Sequence, residues 1–95
     1  MAKLFKTDGT VEDKVPANGS DFTLQEMYEM IGNGCDMVQM VYLADGNIMW
    51  CDEEGKFNSA HKPNYPASHL LAQAGGIPGD IVMGHVLITS PDEVR

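Results

Sequence analysis

The stretch DMVQMVYLADGNIMWCDEEGK, residues 36–56, decides the fold class because it has the pattern of a β-hairpin. Two runs rich in apolar and β-branched residues, 37–43 and 48–51, are separated by a short polar segment. Within that segment Asp45-Gly46 tolerates positive φ at both positions, which predicts a type I′ turn that sets the register of the strands. The stretch therefore predicts an antiparallel sheet.

The N-terminal residues predict a second, smaller hairpin. Residues 2–6 and 11–15 are short mixed runs, and Asp8-Gly9 between them is a turn signal.

A helix is predicted to begin after Thr23. Thr23 as N-cap and Glu26 three residues later form a capping box, and Phe22 and Met27 occupy the positions of a hydrophobic staple. The glycines of segment 32–34 end the helix. The apolar stripe expected to face the sheet consists of Leu24, Met27, Tyr28 and Ile31.

The C-terminal half predicts a second helix and a further strand. Pro66 suits a first helical turn, and Gly75-Gly76 ends the apolar pattern that follows. Residues 81–89 form a nearly continuous apolar, β-branched run, typical of a central strand, in which Gly84 indicates a bulge or a close backbone approach. A turn is expected at Pro78-Gly79.

The predicted architecture is α+β, with about five mostly antiparallel strands and two helices packed on one face. The length of 95 residues allows one domain, 1–95, in which residues 90–95 are expected to form a flexible tail.

The composition limits the possible function classes. A formal net charge of −8 opposes non-specific binding to nucleic acid or anionic membrane, and no apolar run is long enough to span a bilayer. Cys35 and Cys51 lie far apart in the sequence, and no signal-peptide pattern follows Met1. We therefore expect a cytoplasmic protein with free thiols.

Several motifs occur in an order that is found in one family of small proteins: they lie in segments 6–10, 18–24, 42–46, 53–56 and 79–87. With these motifs the chain resembles the family named domain of unknown function 3846, which occurs in phages, prophages and gut bacteria. The resemblance covers nearly the whole chain and implies phage or mobile-element provenance, but no activity.

The sequence predicts no catalytic or metal site and no cofactor. Three histidines and two cysteines are present, but none has the close spacing of a zinc site, and no Gly-rich phosphate loop opens a helix. Cys51 follows Trp50 within a strand, which favours a small half-buried hydrophobe over a nucleophile. We expect the protein not to be an enzyme.

The segment with the most ligand-like composition is the loop 59–65. It combines His61, Lys62, Asn64 and Tyr65, which supply an imidazole, a cation, an amide and an aromatic face that could stack on a nucleobase. These four residues are the candidate ligand-binding set, although a simple connecting loop is an open alternative.

A second candidate surface is acidic. Asp45, Asp52, Glu53 and Glu54 could steer the protein toward a basic partner, although a solvated turn explains the same residues. Met30 lies off the predicted helix stripe, and it and Trp50 are candidates for a subunit contact. Because small sheets expose edges that a two-fold axis can bury, a homo-oligomer is expected.

Three functional hypotheses follow from these features. The leading one is a non-enzymatic binding protein of phage or mobile-element type that sequesters a nucleotide signal and so counters host defence. The alternative is an acidic module that blocks a basic host protein surface. The second alternative is a small uncharacterised enzyme or metal-binding protein.

Overall fold

The computed structural model describes residues 2–75 and 81–94, in which five strands form one antiparallel sheet. Within the described residues the sheet order is β2-β1-β7-β4-β3, and β5 pairs separately with β6. The strands are β1 (Ala2–Phe5), β2 (Val11–Lys14), β3 (Val38–Tyr42), β4 (Ile48–Asp52), β5 (Pro63–Asn64), β6 (Val82–Met83) and β7 (Val86–Thr89), and the helices are α1 (Leu24–Ile31) and α2 (Tyr65–Gln73). The predicted α+β class is confirmed.

The hairpin between β3 and β4 is confirmed, but its turn is not type I′. Gly46 N–H donates to Leu43 O at 3.1 Å, and Leu43 N–H donates to Asn47 O at 2.8 Å, which leaves a three-residue loop. Gly46 has a φ of 89°, whereas Asp45 keeps a negative φ. This geometry matches a type I turn followed by a glycine bulge, in which only one residue needs positive φ.

The hairpin between β1 and β2 closes in the same way. Gly9 N–H donates to Lys6 O at 3.1 Å, and Lys6 N–H donates to Thr10 O at 2.9 Å. In this loop Asp8 accepts hydrogen bonds from the backbone and hydroxyl of Thr10, which hold the pKa of Asp8 below its usual value. Both hairpins therefore use an aspartate to brace the turn and a glycine to close it.

Helix α1 begins as predicted. Glu26 N–H donates to Thr23 Oγ1 at 3.2 Å, and Thr23 N–H donates to a Glu26 carboxylate oxygen at 3.0 Å, so the capping box is complete. Met27 and Ile31 are buried as expected, but Leu24 is 54% exposed. Phe22 packs in the core with Met27 at this end of the helix, so the core is filled there without Leu24.

The expectation that both helices share one face is wrong. In β4, Ile48 and Trp50 belong to the core cluster that contains Met27 of α1, while the alternate residues Met49 and Cys51 pack in a second cluster. That second cluster contains Ala67 of α2, and β7 alternates in the same way. Because successive side chains of a strand point to opposite faces, the helices lie against opposite faces of the sheet, the α1 face and the α2 face.

Helix α2 begins at the predicted proline turn, with Asn64 as its N-cap. Gly75, with a φ of 92°, follows its C-cap, whereas Gly76 and the predicted Pro78-Gly79 turn lie outside the described residues. The apolar run that follows is not one strand, because Gly84, with a φ of 91°, separates β6 from β7. The close approach predicted at Gly84 is confirmed by the His61 ring beside it.

The C-terminal residues form a short 3₁₀ turn, Pro91–Glu93, in place of the expected flexible tail. Ser90 and Glu93 form a capping box, Phe22 N–H donates to Glu93 O at 2.7 Å, and Val94 packs against the α1-face core. These contacts hold the segment against α1.

Candidate functional site

The structure divides the four ligand-binding candidates of the 59–65 loop into two buried and two exposed residues. Asn64 is fully buried: its Nδ2 donates to Phe5 O at 2.9 Å and to Gly84 O at 3.0 Å, and its Oδ1 accepts from Ala67 N–H. Through these bonds the Asn64 side-chain amide caps α2 and links the start of this helix to β1. Asn64 is therefore a structural residue with no surface for a ligand.

His61 is buried as well, with 4% of its surface exposed. Its Nε2 lies 2.8 Å from Asp52 Oδ2, and its Nδ1 lies 3.1 Å from Asn33 Nδ2. Since the Asn33 amide nitrogen can only donate, Nδ1 accepts and Nε2 carries the proton that is donated to Asp52. Both ring nitrogens are thus occupied inside the protein.

Lys62 and Tyr65 remain at the surface, and Tyr65 is 67% exposed. The loop therefore presents a cation and an aromatic ring, but not the four-residue set that the sequence suggested. Whether this pair binds a ligand stays a prediction.

A cleft of about 300 Å³ opens on the α2 face, and we call it the β4–β6 cleft. It lies where β3, β4, β6, α2 and the 3₁₀ turn Gly55–Phe57 meet. Its lining is Gln39, Val41, Met49, Cys51, Asp52, Glu53, Gly55, Lys56, Phe57, Leu71, Val82 and Met83. Five of these side chains, those of Val41, Met49, Cys51, Leu71 and Val82, belong to the α2-face core cluster or pack against it, so the cleft has an apolar interior.

The 3₁₀ turn forms one wall of the cleft because a glycine lets it approach β6. A Cβ built on Gly55 would lie 3.0 Å from Met83 O, so a larger residue would push the turn away. The next two residues, Lys56 and Phe57, line the cleft as well, and Phe57 is 90% exposed. The turn thus places an ammonium group and an aromatic ring beside an apolar floor.

The acidic groups of the cleft differ in their surroundings. Asp52 is 8% exposed, and both of its carboxylate oxygens have partners: His61 donates to one, and Glu54 N–H donates to the other at 3.0 Å. Glu53 is exposed and lies on the same lining as Lys56. The cleft therefore has one exposed carboxylate and one lysine near its mouth.

Neither cysteine has the environment of a nucleophile. Cys51 is 7% exposed, and burial raises the pKa of its thiol to about 11. Burial also raises the pKa of the Cys35 thiol, and the Asp52 carboxylate adds to that effect. Thiols with raised pKa values remain protonated at neutral pH, so Cys51 contributes to the cleft as an apolar surface.

The four acidic candidates do not form one patch. Asp45 lies in the β3–β4 turn, where it accepts hydrogen bonds from Asn47, whereas Glu53 and Glu54 are exposed beyond the other end of β4. Asp52, the last residue of β4, is buried. The carboxylates instead mark the two ends of the hairpin.

Both candidates for a subunit contact pack in the α1-face core. Trp50 is 9% exposed, and its Nε1 donates to Thr89 Oγ1 at 3.0 Å, while Met30 is partly buried against the same cluster. Core packing accounts for these positions, and a homo-oligomer stays a prediction.

Sequence reasoning missed the β4–β6 cleft because its walls come from separate segments. Phe57 carried the one local signal: a large aromatic residue directly after an acidic, glycine-containing turn and outside any alternating pattern.

In residues 2–75 and 81–94, no group of three or more His, Cys, Asp and Glu side chains could hold a metal ion. The helices of those same residues lack the length and apolar character that a membrane span requires.

Comparison with known families identifies the relationship that the motif order suggested. The model of the family described as Domain of unknown function (DUF3846) matches residues 9–95. The chain belongs to the DUF3846 family. DUF3846 membership confirms the resemblance and, by the family's own description, assigns no activity. No curated protein and no solved structure matches the chain significantly.

Proposed function

We propose that the chain is a non-catalytic binding protein that holds a small, ring-shaped ligand in the β4–β6 cleft. The observation that carries the proposal is a cleft of about 300 Å³ that combines an apolar interior with the polar side chains of Gln39, Glu53 and Lys56 in its lining. Small-molecule sites in proteins combine these features, and their volumes begin at about 300 Å³.

The rim residues favour a ligand of the nucleoside or mononucleotide class. The exposed Phe57 ring can stack on a nucleobase, and Lys56 on the same lining contributes positive charge beside it. The net charge of −8 and the nearby Glu53 carboxylate oppose ligands with several phosphates. We therefore favour a nucleoside, a nucleoside monophosphate or a cyclic mononucleotide.

Sequestration would explain how such a protein acts without a reaction. If the ligand is a signalling nucleotide, binding would lower its free concentration and withhold it from its receptor. This is the counter-defence role proposed for a protein of phage or mobile-element origin. The non-catalytic part of the proposal is supported by the cleft's thiol, whose pKa of about 11 keeps it protonated.

The proposal is tested by calorimetric titration of the protein with nucleosides, monophosphates, cyclic mononucleotides and nucleoside triphosphates. Phe57→Ala removes the stacking face from an exposed position and should leave folding unchanged. Tyr65→Ala is the matched control, because Tyr65 is an exposed aromatic residue that is absent from the cleft lining.

We expect Phe57→Ala to weaken binding about 5- to 150-fold, the range that corresponds to the loss of one base–aromatic stack, and Tyr65→Ala to have no effect. If only Tyr65→Ala loses binding, the ligand binds at the 59–65 loop and not in the β4–β6 cleft. If no member of the panel produces heat with the wild-type protein, the nucleotide-class ligand is wrong.

A further inference from the structure

Strand β3 is an edge strand whose outward backbone groups are regularly spaced. Leu43 N–H donates to Asn47 O and Glu53 N–H donates to Met37 O, so the odd-numbered residues along this strand are hydrogen-bonded to β4. In an antiparallel pair the hydrogen-bonded positions alternate. The N–H and C=O groups of Val38, Met40 and Tyr42 therefore point away from β4, and within the described residues no strand lies beyond them.

The two edges of the sheet differ in how they are protected. At the other edge, β2 reads VEDK, and Glu12 forms ion pairs with Lys6 and Lys14. Charged residues on an edge strand discourage pairing with another chain. Strand β3 reads VQMVY and contains no charge, proline or glycine, so it has none of these protective features.

The side chains of β3 add apolar surface to this edge. Met40 is paired with Trp50 of β4 and is 45% exposed, and Tyr42 is 66% exposed on the same face. An added strand could cover both side chains with apolar residues at alternating positions.

The charges at the two ends of β3 indicate which strand would fit. The exposed Asp36 precedes the strand, Asp45 follows it in the turn, and Glu53 pairs with Met37 at the Asp36 end. A segment lying along β3 would therefore meet carboxylates at both ends, in a protein with a net charge of −8. Lysine or arginine at both ends of the added segment would complement them.

A second copy of this chain fits less well. If two β3 strands paired antiparallel about Met40, residue 36 of each copy would lie opposite residue 44 of the other. Asp36 would then lie opposite Ala44 and one position from Asp45 of the other copy, so two carboxylates would approach each other at both ends of the interface. Nearby like charges repel each other, which makes this pairing less favourable than pairing with a basic segment.

We propose that β3 accepts an extended segment of a partner protein as an additional strand, with apolar residues at alternate positions and basic residues at both ends. The backbone supplies hydrogen bonds through Val38, Met40 and Tyr42, the exposed Met40 and Tyr42 side chains supply contact area, and Asp36 and Asp45 select for positive charge. The Met40 and Tyr42 side chains lie on the α1 face, whereas the β4–β6 cleft opens on the α2 face, so the proposal does not rest on ligand binding in the cleft.

The test is selection of peptides by the purified full-length protein. Each peptide of one displayed library has five random positions, with two lysines before them and two lysines after them. A matched library has glutamates in place of the four lysines. We expect the lysine library to be enriched about tenfold over the glutamate library at ~50 mM salt, with the difference shrinking at ~0.5 M as the exposed charges are screened.

Two sets of variants locate the binding. Met40→Pro removes the central outward N–H and should abolish enrichment of the lysine library; proline is tolerated at such positions of an edge strand. Met40→Thr keeps the N–H and should retain most of the enrichment. Asp36→Lys combined with Asp45→Asn should abolish the lysine preference, and it serves as the decisive variant if Met40→Pro does not fold.

Four results would overturn the proposal. They are enrichment of neither library, equal enrichment of both, enrichment that survives in folded Met40→Pro, and a wild-type dimer in sedimentation that Met40→Pro converts to monomer. The last result would show that a second copy occupies β3.

Discussion

Replacing Gly84 with alanine should destabilise the protein far more than replacing Gly46, although the two glycines have nearly the same positive φ. Their φ values are 91° and 89°. A Cβ on Gly46 would have no atom within 4 Å, whereas a Cβ on Gly84 would lie 2.6 Å from His61 Nδ1 and 2.9 Å from two ring carbons. The difference between the two variants therefore isolates the contact with the His61 ring.

The expected magnitude follows from what holds that ring in place. Alanine at positive φ costs about 1–2 kcal/mol, which should be the full effect of Gly46→Ala. His61 can move away from a new Cβ only by weakening its 2.8 Å bond to Asp52, and a hydrogen bond to a charged group contributes about 1.5–3 kcal/mol. Gly84→Ala should thus cost about 2.5–5 kcal/mol, a large fraction of the roughly 5–14 kcal/mol expected for a domain of this size.

Urea unfolding monitored by tryptophan fluorescence measures both variants, because the chain contains a single tryptophan and Trp50 is buried in the core. The same substitution in a His61→Ala background should cost no more than Gly46→Ala, since the ring is absent. If Gly84→Ala and Gly46→Ala differ by less than about 1 kcal/mol in the wild-type background, the ring is not held in place as described.

Three further predictions concern the thiol, the helix cap and the buried amide. Folding raises the pKa of the Cys51 thiol from 9.0 to about 11, so the stability that this shift contributes is present below pH 9 and is lost as pH rises toward 11. In urea titrations at pH 8–11, Cys51→Ala should therefore reduce the decline of the unfolding free energy with pH. Thr23→Ala should cost about 1 kcal/mol of unfolding free energy, and no loss would contradict the capping box. Asn64→Ala should cost about 2–4 kcal/mol, because two backbone carbonyls and the Ala67 N–H lose their partner; a thermal melt matching wild type would contradict its structural role.

The sequence predicted the elements whose signals are local. The start of α1 is determined by the Thr23–Glu26 capping box, which involves only residues close together in the sequence. The start of α2 is determined in the same local way by Pro66. The predicted type I′ turn was wrong because Asp-Gly suits both a two-residue and a three-residue loop. The observed three-residue loop is closed by the bond from Leu43 N–H to Asn47 O, and Asn47 N–H also donates to Asp45 Oδ1.

The placement of the helices was missed although the sequence carried a signal for it. All five residues of β4 and all four of β7 are buried, and both segments read as continuous apolar runs followed by a polar residue. A strand covered on one face only would alternate between apolar and polar residues. The continuous pattern therefore indicated cover on both faces, which requires one helix on each side.

The site was the least predictable part because polar residues in a loop can either bind a ligand or form hydrogen bonds within the protein. His61 and Asn64 have the composition of a ligand site, but their partners are Asp52, Phe5 and Gly84, and no local pattern reveals such distant contacts. Most polar groups that become buried bond to other protein groups. The β4–β6 cleft depends in the same way on distant segments that meet only in the folded chain.

Ligand binding in the β4–β6 cleft is tested most directly by an amide NMR titration of the isotope-labelled protein with the nucleosides and mononucleotides of the calorimetric panel. We expect at least one ligand to shift signals clustered at Val41, Cys51, Phe57 and Val82, while those of Lys62 and Tyr65 remain unchanged. Shifts confined to Lys62 and Tyr65, or no shifts with any ligand, would contradict binding in the β4–β6 cleft.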